Sequence, residues 1–174
     1  MRFGDFEQRA RRILIISLLF LVPVAQALLP IDDPDIWWRL RTGEWIATHH
    51  AVPYAEYFSA NDIGKSWIEY SWLFALLVYW VHSYLGLVGL VYFVVLMGYA
   101  IAYAAYRLIR TAGLPFLVQV ALLAMALGTM KSVMTPRPWL ITILFFALEL
   151  FVIYRARTTG NTRLVWFLPI LFGV

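Results

Sequence analysis

The chain has 174 residues, 63% of them hydrophobic and 14% charged, with a formal net charge of +4. Those proportions lie far from the soluble average and define an integral membrane protein. Cysteine is absent, which excludes disulfides, metal thiolates and thiol nucleophiles. The basic residues stand in short clusters at the ends of apolar runs rather than on one basic face. Nucleic acid is therefore not an expected partner, whereas membrane lipid is.

In chain order, residues 1–12 form a basic N-terminus with Arg2, Arg9, Arg11 and Arg12. It resembles a signal-peptide n-region, but no small-x-small cleavage site follows, so the uncharged run 13–29 reads as an uncleaved span. Residues 30–71 form the one substantial polar region. The spacing predicts an amphipathic helix over 34–48, with Ile36, Leu40, Gly43 and Ala47 on its apolar stripe and Asp35, Arg39 and Thr42 on another face. Val52-Pro53 ends it, and residues 54–66 read as a loop with a turn at Asn61-Asp62-Ile63-Gly64.

Residues 72–85 are apolar but only half a span long, with Trp72, Tyr79 and Ser83 on one face and His82 beside it. That pattern suits a juxtamembrane helix. Gly86 and Gly89 mark a break before the span 87–106. Two more spans follow at 114–130 and 139–154, and residues 164–174 begin a further apolar run. The expected fold is all-α and polytopic, with about four full spans, an interfacial half-length helix and a truncated fifth span.

The distribution of Lys and Arg sets the expected orientation. If 72–85 does not cross, nine basic residues (Arg2, Arg9, Arg11, Arg12, Arg107, Arg110, Arg155, Arg157, Arg163) are cytoplasmic. Five (Arg39, Arg41, Lys65, Lys131, Arg137) are outside. If 72–85 also crosses, the balance reverses to six against eight, so the first arrangement is favoured. It puts the N-terminus in the cytoplasm and places residues 30–71 and 131–138 together on the other side.

The densest polar cluster is Asp32-Asp33-Pro34-Asp35-Ile36-Trp37-Trp38-Arg39, at the exit of the first span. One reading is structural: Asp as N-cap, Pro at the first helical position and Asp in the first turn, in the preferred order. The other is chemical: Asp33 and Asp35 at a membrane-facing cleft, taking a proton from a hydroxyl or holding a divalent cation that bridges a phosphate. Trp37 and Trp38 would then offer stacking faces to a sugar, or sit among lipid headgroups. Arg137, between two prolines at a membrane exit, matches phosphate geometry. Glu69 reads as a solvated loop residue in preference to a further acid at the cleft. Glu149, inside a span, is expected to face the bundle or a partner.

The run Asp33-Pro34-Asp35-Ile36-Trp37-Trp38-Arg39 resembles the Asp-Pro-x-x-x-x-Arg signature after the first span of the oligosaccharyltransferase catalytic subunit. More broadly, it resembles the acidic first-loop motif of bacterial GT-C-type glycosyltransferases, membrane enzymes that use polyprenyl-phosphate sugars. Arg41-Thr42-Gly43-Glu44-Trp45-Ile46 extends the likeness, which covers the whole chain but only the N-terminal part of a family member. It implies a bacterial inner-membrane protein that transfers a sugar from a polyprenyl-phosphate carrier on the non-cytoplasmic face, with inversion at the anomeric carbon. Asp33 matches the first-loop Asp, as general base or cation ligand, with Asp35 second; Arg39, Glu69, Arg137, Trp37 and Trp38 would bind substrate. Asp35 stands where the oligosaccharyltransferase motif carries an aromatic. A divalent cation is not required by the resemblance, because members of the group work without one. The fragment alone is expected to lack activity. The rival is a non-enzymatic membrane protein, a transporter or lipid binder, whose acids cap a helix.

Overall fold

A computed structural model describes residues 3–27 and 33–169. The protein is an all-α polytopic membrane protein. Its helices are α1 (Phe3–Leu19), α2 (Val22–Ala27), α3 (Asp35–His49), α4 (Trp72–Thr111), α5 (Phe116–Thr129) and α6 (Trp139–Thr159). Short 3-10 turns follow α5 (Met130–Val133) and α6 (Thr162–Phe167). Four helical segments are long and apolar enough to cross a bilayer: Glu7–Ala27, Trp72–Thr111, Phe116–Val133 and Trp139–Thr159. Of the expected start of a fifth span at 164–174, residues 170–174 lie outside the described residues, as does Asp32.

The described chain divides into two compact units. One comprises residues up to Pro30, Val95–Met134 and Trp139 onward; the other comprises Ile31–Val94 and Thr135–Pro138. In the first, α1 and α2 pack along α5. The first span is not one rod but two helices with a turn at Phe20-Leu21. Pro23 stands in the first turn of α2, where its missing N–H costs nothing. Gln26 ties α2 to α5 by donating from Nε2 to the Leu127 carbonyl at 2.9 Å. Leu123, Leu127 and Leu140 are fully buried in this unit.

In the second unit, α3 lies against the first half of α4. Their closest approach is at Gly43, where a Cβ would stand 2.2 Å from the Ala75 carbonyl oxygen and 2.5 Å from Tyr79 Cβ. Only glycine permits that contact. Ile36, Leu40 and Ile46 of α3 are buried, as are Phe74, Ala75, Val78 and Leu90 of α4. Thr42, expected on the polar face, is instead buried at 1% exposure.

α4 is not a uniform helix. Gly86 has φ 64° and ψ −159°, a conformation essentially confined to glycine. It divides the element into 72–85, roughly 20 Å long, and 87–111, roughly 37 Å long at 1.5 Å per residue. Only the second part matches a hydrocarbon core of about 30 Å.

Between α3 and α4 the chain makes a short hairpin rather than an open loop. Ala55 and Ser66 form an antiparallel bridge. Glu56 N–H donates to the Lys65 carbonyl, Gly64 N–H to the Glu56 carbonyl and Trp67 N–H to the Tyr54 carbonyl, at 2.9, 2.9 and 3.0 Å. Gly64 supplies the positive φ (83°) that the turn needs.

Candidate functional site: an acid pair on an arginine fork

In the second unit, two acids and an arginine meet at the start of α3. Asp33 Oδ1 accepts the Asp35 N–H at 3.1 Å, so it caps the first turn of α3 from two residues upstream. The turn Thr135-Pro136-Arg137-Pro138 is drawn tight by Arg137 N–H donating to the Thr135 carbonyl at 2.7 Å. It presents Arg137 to the acids. Nε donates to Asp33 Oδ2 and Nη2 to Asp33 Oδ1, each at 2.6 Å. Nη2 also lies 2.8 Å from Asp35 Oδ2. The result is a two-pronged guanidinium–carboxylate pair, the strongest geometry such a pair can take, with a second carboxylate against one prong.

The environments of the two acids differ. The Asp33 side chain is 1% exposed and the Asp35 side chain 42%. Burial by itself would raise the Asp33 carboxyl. The hydrogen bonds from Arg137 and from the Asp35 N–H, with the charges of Arg137 and Arg39, outweigh that and hold it below the usual carboxylate range. Arg137 is correspondingly held above its ordinary value, first by its hydrogen bond to Asp33. At neutral pH Asp33 is therefore an anion clasped by a cation.

Arg39 does not pair with Asp35, although the two are spaced i,i+4. It donates from Nη1 to Ser71 Oγ at 2.8 Å, and Ser71 Oγ donates to Glu69 Oε1 at 2.5 Å. The guanidinium also lies over the rings of Trp38 and Phe74, 5.0 and 6.0 Å from their centroids. Glu69 is buried at 4% exposure, which overturns its reading as a solvated loop residue. Its Oε1 accepts both the N–H and the hydroxyl of Ser71. Glu69 Oε2, Arg39 Nε and the Thr42 hydroxyl are buried with no hydrogen-bond partner among the described residues.

No family model, curated protein or solved structure matches this chain. The chemistry must therefore be read from the residues. Asp33, Asp35 and Arg137 come together; Arg39 and Glu69 form a second cluster through Ser71, a residue with no distinguishing signal in the sequence. Trp38 meets Trp67 edge to face at 6.0 Å. Trp37, 60% exposed, points elsewhere, to a shallow groove with Leu87, Val88 and Val91. The donor set does not suit a resident divalent cation. The two carboxylates already converge on a guanidinium, and among the described residues no three His, Cys, Asp or Glu side chains form a metal-holding group.

Proposed function

We propose that this chain forms the N-terminal part of a polyprenyl-phosphate-dependent glycosyltransferase of the GT-C type, with Asp33, Asp35 and Arg137 at its reaction centre. One observation carries the reading: an arginine 104 residues away reaches back to grip the first-loop aspartate at both oxygens. A helix cap needs no such partner. An arginine fork fits a lipid phosphate as well as it fits a carboxylate. A donor phosphate that draws Arg137 away leaves Asp33 buried without its counter-ion, and burial then raises its affinity for a proton. Asp33 becomes a competent base only when donor is bound. It takes the proton from the acceptor hydroxyl as that oxygen attacks the anomeric carbon. The bond from carbon to phosphate oxygen breaks, and the polyprenyl phosphate leaves on Arg137.

The same ion pair supports the proposed topology. Residues 33 and 137 touch, so the chain between them crosses the membrane an even number of times. One crossing in α4 and one in α5 satisfy this; two in α4 do not. With the positive-inside balance, the N-terminus is cytoplasmic and the acids face the outer side of a bacterial inner membrane.

The test is sugar transfer from a polyprenyl-phosphate donor by the full-length protein in membrane vesicles. Asp33→Asn is expected to abolish transfer while the protein still inserts and melts within a few degrees of the parent. Transfer that falls only in step with melting temperature, equally in Asp33→Asn and Arg137→Ala, would refute catalysis. It would favour the second reading, a non-enzymatic transporter or lipid binder. The Asp33 cap on the Asp35 N–H is the observation on that side.

A further inference from the structure

The second unit also holds a cleft of about 290 Å³, of whose lining the transfer reading names only Trp38. Trp38 and Thr42 of α3 form one side; Glu56, Tyr57, Phe58 and Trp67 of the hairpin form much of the rest. Its walls are largely aromatic, yet Glu56, Ser59 and Thr42 bring polar groups to it. Glu56 is fixed in place, because its Oε1 accepts the N–H groups of Phe58 and Ser59 at 2.7 and 3.0 Å. The backbone of Glu56 is pinned in the hairpin by bonds to Lys65 and Gly64. Thr42 is 1% exposed, and its hydroxyl has no partner among the described residues. A buried hydroxyl left unpaired is costly, and a ligand with its own hydroxyls relieves that cost.

We propose that this cleft binds a neutral pyranose ring. Its size lies at the low end of small-molecule sites. An aromatic wall takes the C–H face of a sugar, while the Glu56 carboxylate and the Thr42 hydroxyl take ring hydroxyls. The competing chemistries fit less well. A hydrocarbon chain leaves the Glu56 and Thr42 groups unsatisfied. A phosphate meets the Glu56 charge. A quaternary ammonium would suit an aromatic cage, but Trp38 already carries the Arg39 guanidinium at 5.0 Å, which repels a second cation.

The site stands on this chemistry and not on sugar transfer, although the two are compatible. Asp35, Trp38 and Thr42 follow at spacings of three and four, so they share a side of α3. Asp35 lies roughly 10 Å along the helix from Thr42, within reach of a disaccharide seated in the cleft.

The experiment is saturation-transfer NMR on the protein in lipid nanodiscs, free of alkyl-glycoside detergents that would fill the cleft. The probes are methyl α-D-glucopyranoside, methyl α-D-mannopyranoside and methyl β-D-galactopyranoside, with choline and cyclohexanol as rivals. At least one pyranoside should receive saturation at its ring C–H protons. Trp67→Ala should weaken binding about tenfold, the upper range for one aromatic contact. Glu56→Gln keeps the acceptor for the Phe58 and Ser59 N–H groups and should still weaken binding several-fold. Asp33→Asn should bind the sugar normally, which separates this site from the transfer reading. Equal binding of the methyl glycoside and a farnesyl-phosphate-linked sugar marks the ring as the recognised part. The proposal is overturned if no pyranoside signal exceeds that of Trp67→Ala, if choline or cyclohexanol binds in preference, or if only the lipid-linked form binds.

Discussion

At the scale of single residues, Asp33 decides the chemistry through its surroundings. A carboxyl held below its unfolded value of 3.8 contributes stability that is complete above about pH 4. That contribution is lost as pH falls through the folded value, and nothing changes between pH 5 and 8 on its account. Acidification below pH 4 should therefore loosen the contact between the start of α3 and the Pro136–Pro138 turn. Arg137→Ala leaves Asp33 buried without its fork and should cost about 3 kcal/mol, the usual penalty for breaking a buried pair. Scanning fluorimetry across pH 3–8 checks both. The parent should show an acid limb that Arg137→Ala lacks, and a variant that keeps the full limb would remove Arg137 from the account. Asp33 and Arg137 could be singled out from the sequence as the acid after the first span and the basic exception between prolines. The burial of Glu69 could not, because nothing local distinguishes it from a loop carboxylate. Its partner Ser71 and the cation Arg39 come together only when α3 docks on α4.

At the scale of elements, two glycines set the architecture of the second unit. Gly43 lets α3 touch the backbone of α4, and Gly86 ends the half-length part of α4. Gly43→Ala pushes a Cβ into the Ala75 carbonyl, a contact that no rotamer relieves. The expected loss is about 1–3 kcal/mol, typical of overpacking, read as a lower melting temperature together with weaker pyranoside binding. An unaltered melt would rule out a close approach of Gly43 to Ala75. The sequence marks Gly86 as a break, and it places α3 within a residue or so of its observed bounds. It misassigns Thr42, since a hydroxyl on a helix reads as surface until the neighbouring helix is known. The hairpin at 54–67 is also missed, because its four aromatics and its short bridge lack the alternation that identifies strands.

For the whole molecule, the testable property is which side each loop faces. The absence of cysteine makes the chain a clean background for single-cysteine labelling. In intact cells a cysteine at Asn61 should react with an impermeant maleimide, and one at Asn161 should react only after lysis. Labelling of Asn161 in intact cells would reverse the orientation. The class of the molecule is plain from composition alone, since 63% hydrophobic residues leave no soluble alternative. The number of crossings is less plain. A 40-residue apolar helix fits one span with a juxtamembrane arm or two short spans, and hydropathy does not choose between them.

The long reach of the Asp33–Arg137 pair also imposes an order of events during biogenesis. Synthesis runs from the N-terminus, so Asp33 emerges from the ribosome 104 residues before its partner. Through the insertion of α4 and α5 it exists as an acid without a counter-ion. The first loop can close only when the proline-flanked turn arrives, which makes that turn a late latch on a domain otherwise assembled. A nascent chain arrested before Pro136 should leave the start of α3 open to protease, as Arg137→Ala should, and the released parent chain should not.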